Sequence, residues 1–380
     1  MPWDVTDAMS LREEFVLLAL QEGANRRELC RRYGISPQTG YKWLQRHEEL
    51  GLAGLADRSR RPHTSPQRTD VDAREAVLTL RAQHPAWGAR KLSRRLADIG
   101  HAPLASSTVH SILHNAGVVD RALSHYREPW KRFEHERPNS LWQADFKGHF
   151  PTLQGRCSPL TVLDDHSRYN LTLHACRDTT RDTVQAQLML TFQRYGLPAR
   201  MNFDNGAPWG SPAQPGQVTG LGLWLIQLGI GVSHSRPYHP QTNGKDERFH
   251  RSLDVEVLRE RTFASYAHVQ ADLDAWRWVY NHERPHQALQ MATPITRYQP
   301  SPRAFPTNMP AIEYADGEVV KRVNWNGELR FRGQRFKLSS ALSHRDVAVR
   351  EPPDSPGRFD VYFAHHRCQT IDLHPPQTPS

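Results

Sequence analysis

The sequence predicts a multidomain protein: all-α helix-turn-helix modules at the N-terminus, a central α/β domain with a mixed sheet, and a small C-terminal β-barrel. Three observations carry this. At 380 residues and 43.6 kDa the chain exceeds what one hydrophobic core usually holds. The apolar periodicity changes from helical to alternating after Pro138. Pro- and Arg-rich stretches at 57–66 and 299–311 interrupt it. The expected boundaries are a helix-turn-helix domain (1–56), a basic linker (57–66), a second helix-turn-helix-like domain (67–125), a linker (126–137), the α/β core (138–298), a Pro-rich linker (299–311), the barrel (312–374) and a disordered tail (375–380).

Hydrophobic residues make up 38% and charged residues 23%, with 10 Trp, which excludes a wholly disordered chain. No apolar run approaches the ~20 residues needed to span a bilayer, and the opening MPWDVTDAMS lacks the basic and apolar regions of a secretory signal. Cys30, Cys157, Cys176 and Cys368 are far apart, which argues against a disulfide scaffold or cysteine zinc finger and fits a reducing cytosol. The net charge of +9 is uneven: residues 21–137 carry 21 basic against 13 acidic side chains, 138–320 carry 17 of each, and 321–350 carry eight against two. Two basic flanks around a neutral middle point to a polyanionic partner, most commonly nucleic acid. With the helix-turn-helix spacing below, the expected partner is double-stranded DNA and the expected setting cytoplasmic and nucleoid-associated, with no membrane partner.

Ser10 and Glu13 have capping-box spacing before the stripe Leu11, Phe15, Leu18 and Ala19. A second helix is expected from near Asn25 to Tyr33, stopped by Gly34. Ser36-Pro37 then opens a third that runs to Leu50 and ends at Gly51. A short Gly-Ile-Ser connection between these helices is helix-turn-helix geometry. Gln38, Thr39, Tyr41, Lys42 and Arg46 of the third helix are the expected base or backbone contacts. In the linker, Arg58, Arg60 and Arg61 either enter a minor groove or form a solvated hinge. The second module is expected as helices over 71–83, 89–99 and 107–115, with Arg90 and Lys91 toward DNA. His110 and His114 share a helix face, but without further ligands nearby they read as plain surface.

In the α/β region, strands are expected at 141–150, 160–163, 169–175, 200–203 and 231–234, and helices at 182–195, 221–228 and from Gly244. Asp145 then lies mid-strand, Asp204 at a strand end and Glu247 in a helix's first turn. Such positions can converge at one edge of a mixed sheet. Hard oxygen ligands select Mg2+ or Mn2+, and two such ions about 4 Å apart suit in-line displacement at a phosphodiester. Each acid also has a structural alternative: an isolated acid in a buried strand for Asp145, costly without a metal or partner, a turn for Asp204-Asn205-Gly206, and a favourable helix start for Glu247. Asp164 and Asp165 fit a hairpin turn. Asp246, about 100° round the helix from Glu247, is expected to face solvent. Lys245 and Arg248 are expected to grip phosphates, Arg251 to orient Glu247, and Tyr238 and His239 to meet a displaced strand, with Asn243 at the helix entry.

The segments LWQADFKG, LTVLDDHSRY, FDNGAPWG, RPYHPQTNGKDERFHRSL and YNHERPHQAL, with HPAWGARKL upstream, resemble the insertion-sequence transposases that share the catalytic core of retroviral integrases. The resemblance spans about residues 65–300. It implies an RNase H-like core, a DDE triad at Asp145, Asp204 and Glu247, two Mg2+ ions with Mn2+ as a substitute, and a homo-oligomer of at least two copies on paired DNA ends. It also implies that the C-terminal β region, with turn signals at Asn326-Gly327 and Arg332-Gly333, is an SH3-like barrel with a basic face toward DNA. The 42 residues between Asp204 and Glu247 exceed the separation in many relatives, the surplus falling in the Gly/Pro-rich stretch 208–220. The implied function is a transposase that binds the terminal inverted repeats of its element and joins the cut ends to target DNA. The alternatives are a catalytically silent DNA-binding regulator and a nuclease without strand transfer.

Overall fold

Residues 8–58, 69–119, 134–210, 217–235 and 244–373 are described by a computed structural model. The chain divides into two units, Met1–Thr69 and Asp70–Ser380.

In the first unit, α1 (Ala8–Ala19), α2 (Arg26–Arg32) and α3 (Pro37–Leu50) enclose Phe15, Val16, Ala19, Cys30, Trp43 and Leu55. The caps follow from sequence: Asn25 accepts the Glu28 amide at 3.2 Å, and Ser36 accepts that of Thr39 at 3.2 Å, with Pro37 at the first helical position. Helix α1 already starts at Ala8, so Ser10 lies inside it and is not its cap. Val16 joins Phe15 and Ala19 in the core while Leu11 is exposed. Helices α2 and α3 approach so closely at Gly40 that a Cβ there would lie 2.6 Å from Cys30 Sγ.

The second unit begins with α4 (Val71–Gln83), α5 (Ala89–Asp98) and α6 (Ser106–Asn115), closed over Val77, Trp87, Leu92, Leu96, Val109 and Leu113. The strands β1 (Trp142–Phe146), β2 (Phe150–Thr152), β3 (Gly155–Asp164), β4 (Asn170–Cys176), β5 (Arg200–Phe203) and β6 (Gly231–His234) form one sheet in the order β2-β3-β1-β5-β6, with β4 also on β3. The pairs β1–β3 and β3–β4 are antiparallel, while β1–β5 and β5–β6 are parallel, so the sheet is mixed as expected. On one face α7 (Arg181–Tyr195) and α8 (Gly220–Gln227) bury Val184, Leu188, Phe192, Leu221 and Leu225. On the other, α9 (Gly244–Leu253), a π-helical turn (Asp254–Leu258) and α10 (Tyr266–His282) bury Phe249, Leu253, Val269, Leu273 and Tyr280 against Leu163 and Leu173. Parallel strands need crossover helices, which accounts for the layering.

The YNHERP segment closes this second face. The Asn281 side chain accepts the Asn170 amide at 2.8 Å and donates to its carbonyl at 3.0 Å, clamping α10 to β4. Arg284 pairs with Glu256 at 2.9 Å, both side chains 9% exposed.

Beyond the linker, β7 (Val319–Arg322), β10 (Asp346–Arg350), β11 (Arg358–Phe363) and β12 (His366–Asp372) form a four-stranded antiparallel sheet, and β8 (Glu328–Phe331) pairs with β9 (Gln334–Lys337) as a separate hairpin. The turns fall where expected: Gly327 has φ +71°, and Arg332 and Gly333 have φ +45° and +81°. Among the described residues no ladder joins the hairpin to the sheet or links β7 to β12, so the expected barrel is not closed there. The two sheets instead share a core, with Leu329 and Phe331 packed among Val347, Phe359 and Val361, and with Leu223 and Ile226 of α8.

No helix among the described residues is long and apolar enough to cross a membrane.

Candidate active site

Strand register builds the site. In the parallel pair β1–β5, Trp142 lies opposite Met201 and Gln143 opposite Asn202. The same offset two residues on sets Asp145 opposite Asp204, which directly follows β5. Neighbouring strands lie ~4.8 Å apart and residues of equal parity share a face, so the two carboxylates stand side by side. The β1–β5 pairing has ended by then, while β1 stays paired with β3 at Asp145 and Phe146.

Local bonds orient each acid. Asp145 accepts the Phe146 amide at 2.7 Å, and Asp204 accepts the Gly206 amide at 3.0 Å. A Cβ at position 206 would lie 3.1 Å from the Asp204 carboxylate, so glycine leaves that oxygen room. Trp209 stacks on Phe203 with ring centroids 4.6 Å apart, in the core beneath the strand ends. Burial, and then the Asp204 charge, push the Asp145 carboxyl up to about 6 against the pull of the Phe146 amide. Two like charges forced together on oxygen ligands suit a hard divalent cation, whose charge relieves the repulsion.

Helix α9 presents the third acid differently from expectation. Asp246 is 2% exposed, whereas Glu247 is exposed. Asp246 therefore does not face solvent. It occupies the inward face with Phe249, Leu253 and Val257, a spacing of three, then four, then four residues that is the helix's apolar stripe. Its Oδ1 has no hydrogen-bond partner, and burial, followed by the charges of Asp145 and Asp165, pushes its pKa well above the ordinary range. Glu247 sits on the outer shoulder of the same turn. Among the described residues no three His, Cys, Asp or Glu side chains form a metal-holding group, so Asp145 and Asp204 are brought together and Glu247 is not gathered with them.

The neighbouring acids are structural. Asp164 accepts from the Asn139 amide (2.8 Å), the Ser167 amide (2.8 Å) and the Ser167 hydroxyl (2.6 Å), holding the turn after β3. Asp165 accepts the His135 amide at 2.9 Å and pairs with Lys245. The Lys245 ammonium is thus turned inward, its side chain 19% exposed, rather than outward toward a phosphate. Arg251 is exposed and forms no ion pair with Glu247. Arg248 is exposed and adds positive charge near Lys91. Asn243, Tyr238 and His239 lie outside the described residues.

One further group escaped sequence reasoning. His250 Nε2 lies 2.9 Å from the Thr161 hydroxyl, which donates to the Asp145 carbonyl at 2.9 Å. Thr161 is the cross-strand partner of Asp145. The available signal was position: His250 follows Asp246 by one helical turn.

The expected DNA-contact residues divide by exposure. In the first unit Gln38, Tyr41, Lys42 and Arg58 are exposed and Thr39 and Arg46 half-buried, with the Lys42 ammonium 4.4 Å and the Arg46 guanidinium 5.1 Å from the Trp43 ring centre. Arg60 and Arg61 lie outside the described residues. In the second unit Arg90 is exposed, but Lys91 is largely enclosed, and burial followed by the Arg284 charge lowers it to about 7. His110 and His114 are exposed with ring centres 6.4 Å apart.

Comparison with known proteins agrees with this architecture. Two models described as integrase core domain match residues 135–240 and 228–294. A helix-turn-helix domain matches 11–63, a homeodomain-like domain 39–113, and the C-terminal domain of IS481 family transposases 318–378. The insertion element IS407 uncharacterized 31.7 kDa protein of Burkholderia multivorans is 30% identical over 159 residues, 41% of this chain and 54% of its own length. The insertion element IS476 uncharacterized 39.2 kDa protein of Xanthomonas euvesicatoria is 26% identical over 280 residues, 70% of this chain and 77% of its own. The Gag-Pol polyprotein of koala retrovirus is 28% identical over 162 residues, 42% of this chain and 9% of its own. The chain therefore spans about half of the first of these relatives and a small part of the viral one. Among solved structures, a chain of the simian T-cell lymphotropic virus intasome with PP2A regulatory subunit B56 gamma aligns with 78% of this chain and 96% of its own length, at TM-score 0.37 and 16% identity. The HTLV-2 integrase catalytic core domain in complex with magnesium aligns with 43% and 97%, at TM-score 0.31 and 14% identity. The chain thus carries helix-turn-helix and integrase core domains followed by the C-terminal domain of IS481 family transposases, and it is similar to insertion-element proteins.

Proposed function

We propose that the protein is a DNA transposase that binds the terminal inverted repeats of its element, cleaves the ends and transfers them to target DNA. The observation that carries this reading is the placement of Asp145 beside Asp204 at the open end of a mixed sheet, where burial, and then the Asp204 charge, push the Asp145 carboxyl up to about 6. Asp145 and Asp204 would hold divalent cations, Mg2+ or Mn2+, and Glu247 on α9 would complete the set when DNA is bound. Bound there, two such ions supply activation of an attacking oxygen and charge stabilisation at the scissile phosphate. The protein's own part is to align the two carboxylates through the β1–β5 register and to orient Asp204 through the Gly206 amide. The basic helix-turn-helix modules and the exposed Lys321, Arg322 and Arg330 of the C-terminal sheets support duplex DNA as partner. Two copies on paired ends, in the nucleoid, complete the reading.

A strand-transfer assay with end DNA, supercoiled target and Mg2+ tests it. Asp145→Asn and Glu247→Gln should bind end DNA as wild type does and give no joined product. Joining at the wild-type rate by Asp145→Asn would overturn the assignment. End binding without joining by the wild type would leave a DNA-binding regulator.

A further inference from the structure

Helix α9 is tied to the sheet by two polar anchors that bracket Glu247. At its first turn Lys245 pairs with Asp165, and one turn beyond Glu247 His250 meets Thr161. The second anchor reaches further. The Thr161 hydroxyl has one proton and donates it to the Asp145 carbonyl, so its oxygen accepts from His250 Nε2–H. Burial, then the Lys147 charge, lower the imidazole to about 4, so it stays neutral and its Nε2 carries the proton for this bond. A continuous chain thus runs from the helix bearing one proposed ligand to the backbone of the residue bearing another. Neither end touches a carboxylate oxygen, so this chain of bonds takes no carboxylate lone pair from Asp145 or Glu247. Apolar packing by Phe249 and Leu253 already secures the helix, with Phe249 5.4 Å from Trp276 and 4.9 Å from Tyr280 between ring centres. Packing of that kind is non-directional and does not fix the strand–helix offset to a few tenths of an ångström, which a directed hydrogen bond does.

We propose that His250 is a positioning residue: through Thr161 it fixes the Asp145 backbone against helix α9, and so holds the Asp145 carboxylate in place beside Asp204 for a shared cation. The proposal rests on the reading of Asp145, Asp204 and Glu247 as cation ligands. Groups that orient ligands without touching the ion typically change affinity 10–100-fold when lost.

The test uses the full-length chain with four variants, His250→Ala, His250→Asn, Thr161→Val and Thr161→Ser. Free Mn2+ is followed by electron paramagnetic resonance, the fold by circular dichroism, and strand transfer against Mg2+ concentration. His250→Ala and Thr161→Val should each weaken Mn2+ uptake about tenfold and raise the Mg2+ needed for half-maximal joining by the same factor, with KM for end DNA unchanged. His250→Asn and Thr161→Ser, which keep a donor or a hydroxyl, should recover most of the loss. The double variant His250→Ala with Thr161→Val should be no worse than either alone. Wild-type Mn2+ affinity in folded His250→Ala, or additive losses in the double variant, would overturn the proposal. If His250→Ala does not fold, the Thr161 pair decides it, equal affinity in Val and Ser variants being the refuting result. Failure of the underlying reading looks different: Asp145→Asn would then take up Mn2+ as wild type does.

Discussion

Replacing Asp145 by Asn should stabilise the cation-free protein, and by an amount that grows with pH. The Asp145 carboxyl is raised from its ordinary 3.8 to about 6, first by burial and then by Asp204. At ~1.36 kcal/mol per tenfold change in proton affinity, the ionised form is disfavoured in the fold by ~3 kcal/mol. The folded chain holds this proton more tightly than the unfolded one. That stabilisation is complete below about pH 4 and is lost as pH rises through about 6. Asn keeps the neutral shape at all pH values. Asp145→Asn should therefore melt close to wild type at pH 4 and roughly 6–12 °C higher at pH 8 in EDTA, taking 2–4 °C per kcal/mol for a domain of this size. Adding Mg2+ should raise the wild-type melting temperature and leave the variant unmoved, narrowing the gap at pH 8. Scanning fluorimetry at the two pH values, with and without Mg2+, measures all of this. A melting difference that is the same at pH 4 and pH 8 would refute the claim that burial and a neighbouring acid strain this carboxylate.

Asp246→Asn should also raise the melting temperature at pH 8 more than at pH 4, because an inward acid with an unpartnered oxygen is strained when ionised; no pH dependence in that gain would show that the acid is compensated. Arg284→Ala should cost ~3–5 kcal/mol by stranding the buried Glu256, and pairing it with Glu256→Gln should recover part of that loss in denaturant unfolding. Gly40→Ala should lose ~1–3 kcal/mol through overpacking against Cys30 and Phe15; hydrogen exchange in α1–α3 no faster than wild type would contradict the crowding.

The elements that sequence reasoning located best are those with strong local signals. Strands β5 and β6 and the cap at Ser36 fall at the expected residues, because glycine, proline and short polar side chains act within three or four positions. The Ser10–Glu13 pattern was local too, yet misled, since the helix extends upstream of it. Asp246 was expected to face solvent and is buried instead, because it lies on the helix stripe with Phe249, Leu253 and Val257. Lys245 and Lys91 read as DNA contacts by charge alone, and their direction depended on Asp165, Arg284 and Glu256, which lie far away in the chain.

Order along the chain determined the helical modules, the alternation of strand and helix, and the position of each acid at a strand middle, a strand end or a helix start. These depend on neighbours a few residues apart, where steric and capping preferences act directly. Only the tertiary structure decided that Asp145 and Asp204 share one sheet edge, that α9 turns Asp246 inward, that His250 reaches Asp145 through Thr161, and that the described C-terminal strands form two sheets instead of a closed barrel. Those outcomes rest on register and packing between segments tens of residues apart, and no local preference encodes which partner a strand or a buried side chain will meet.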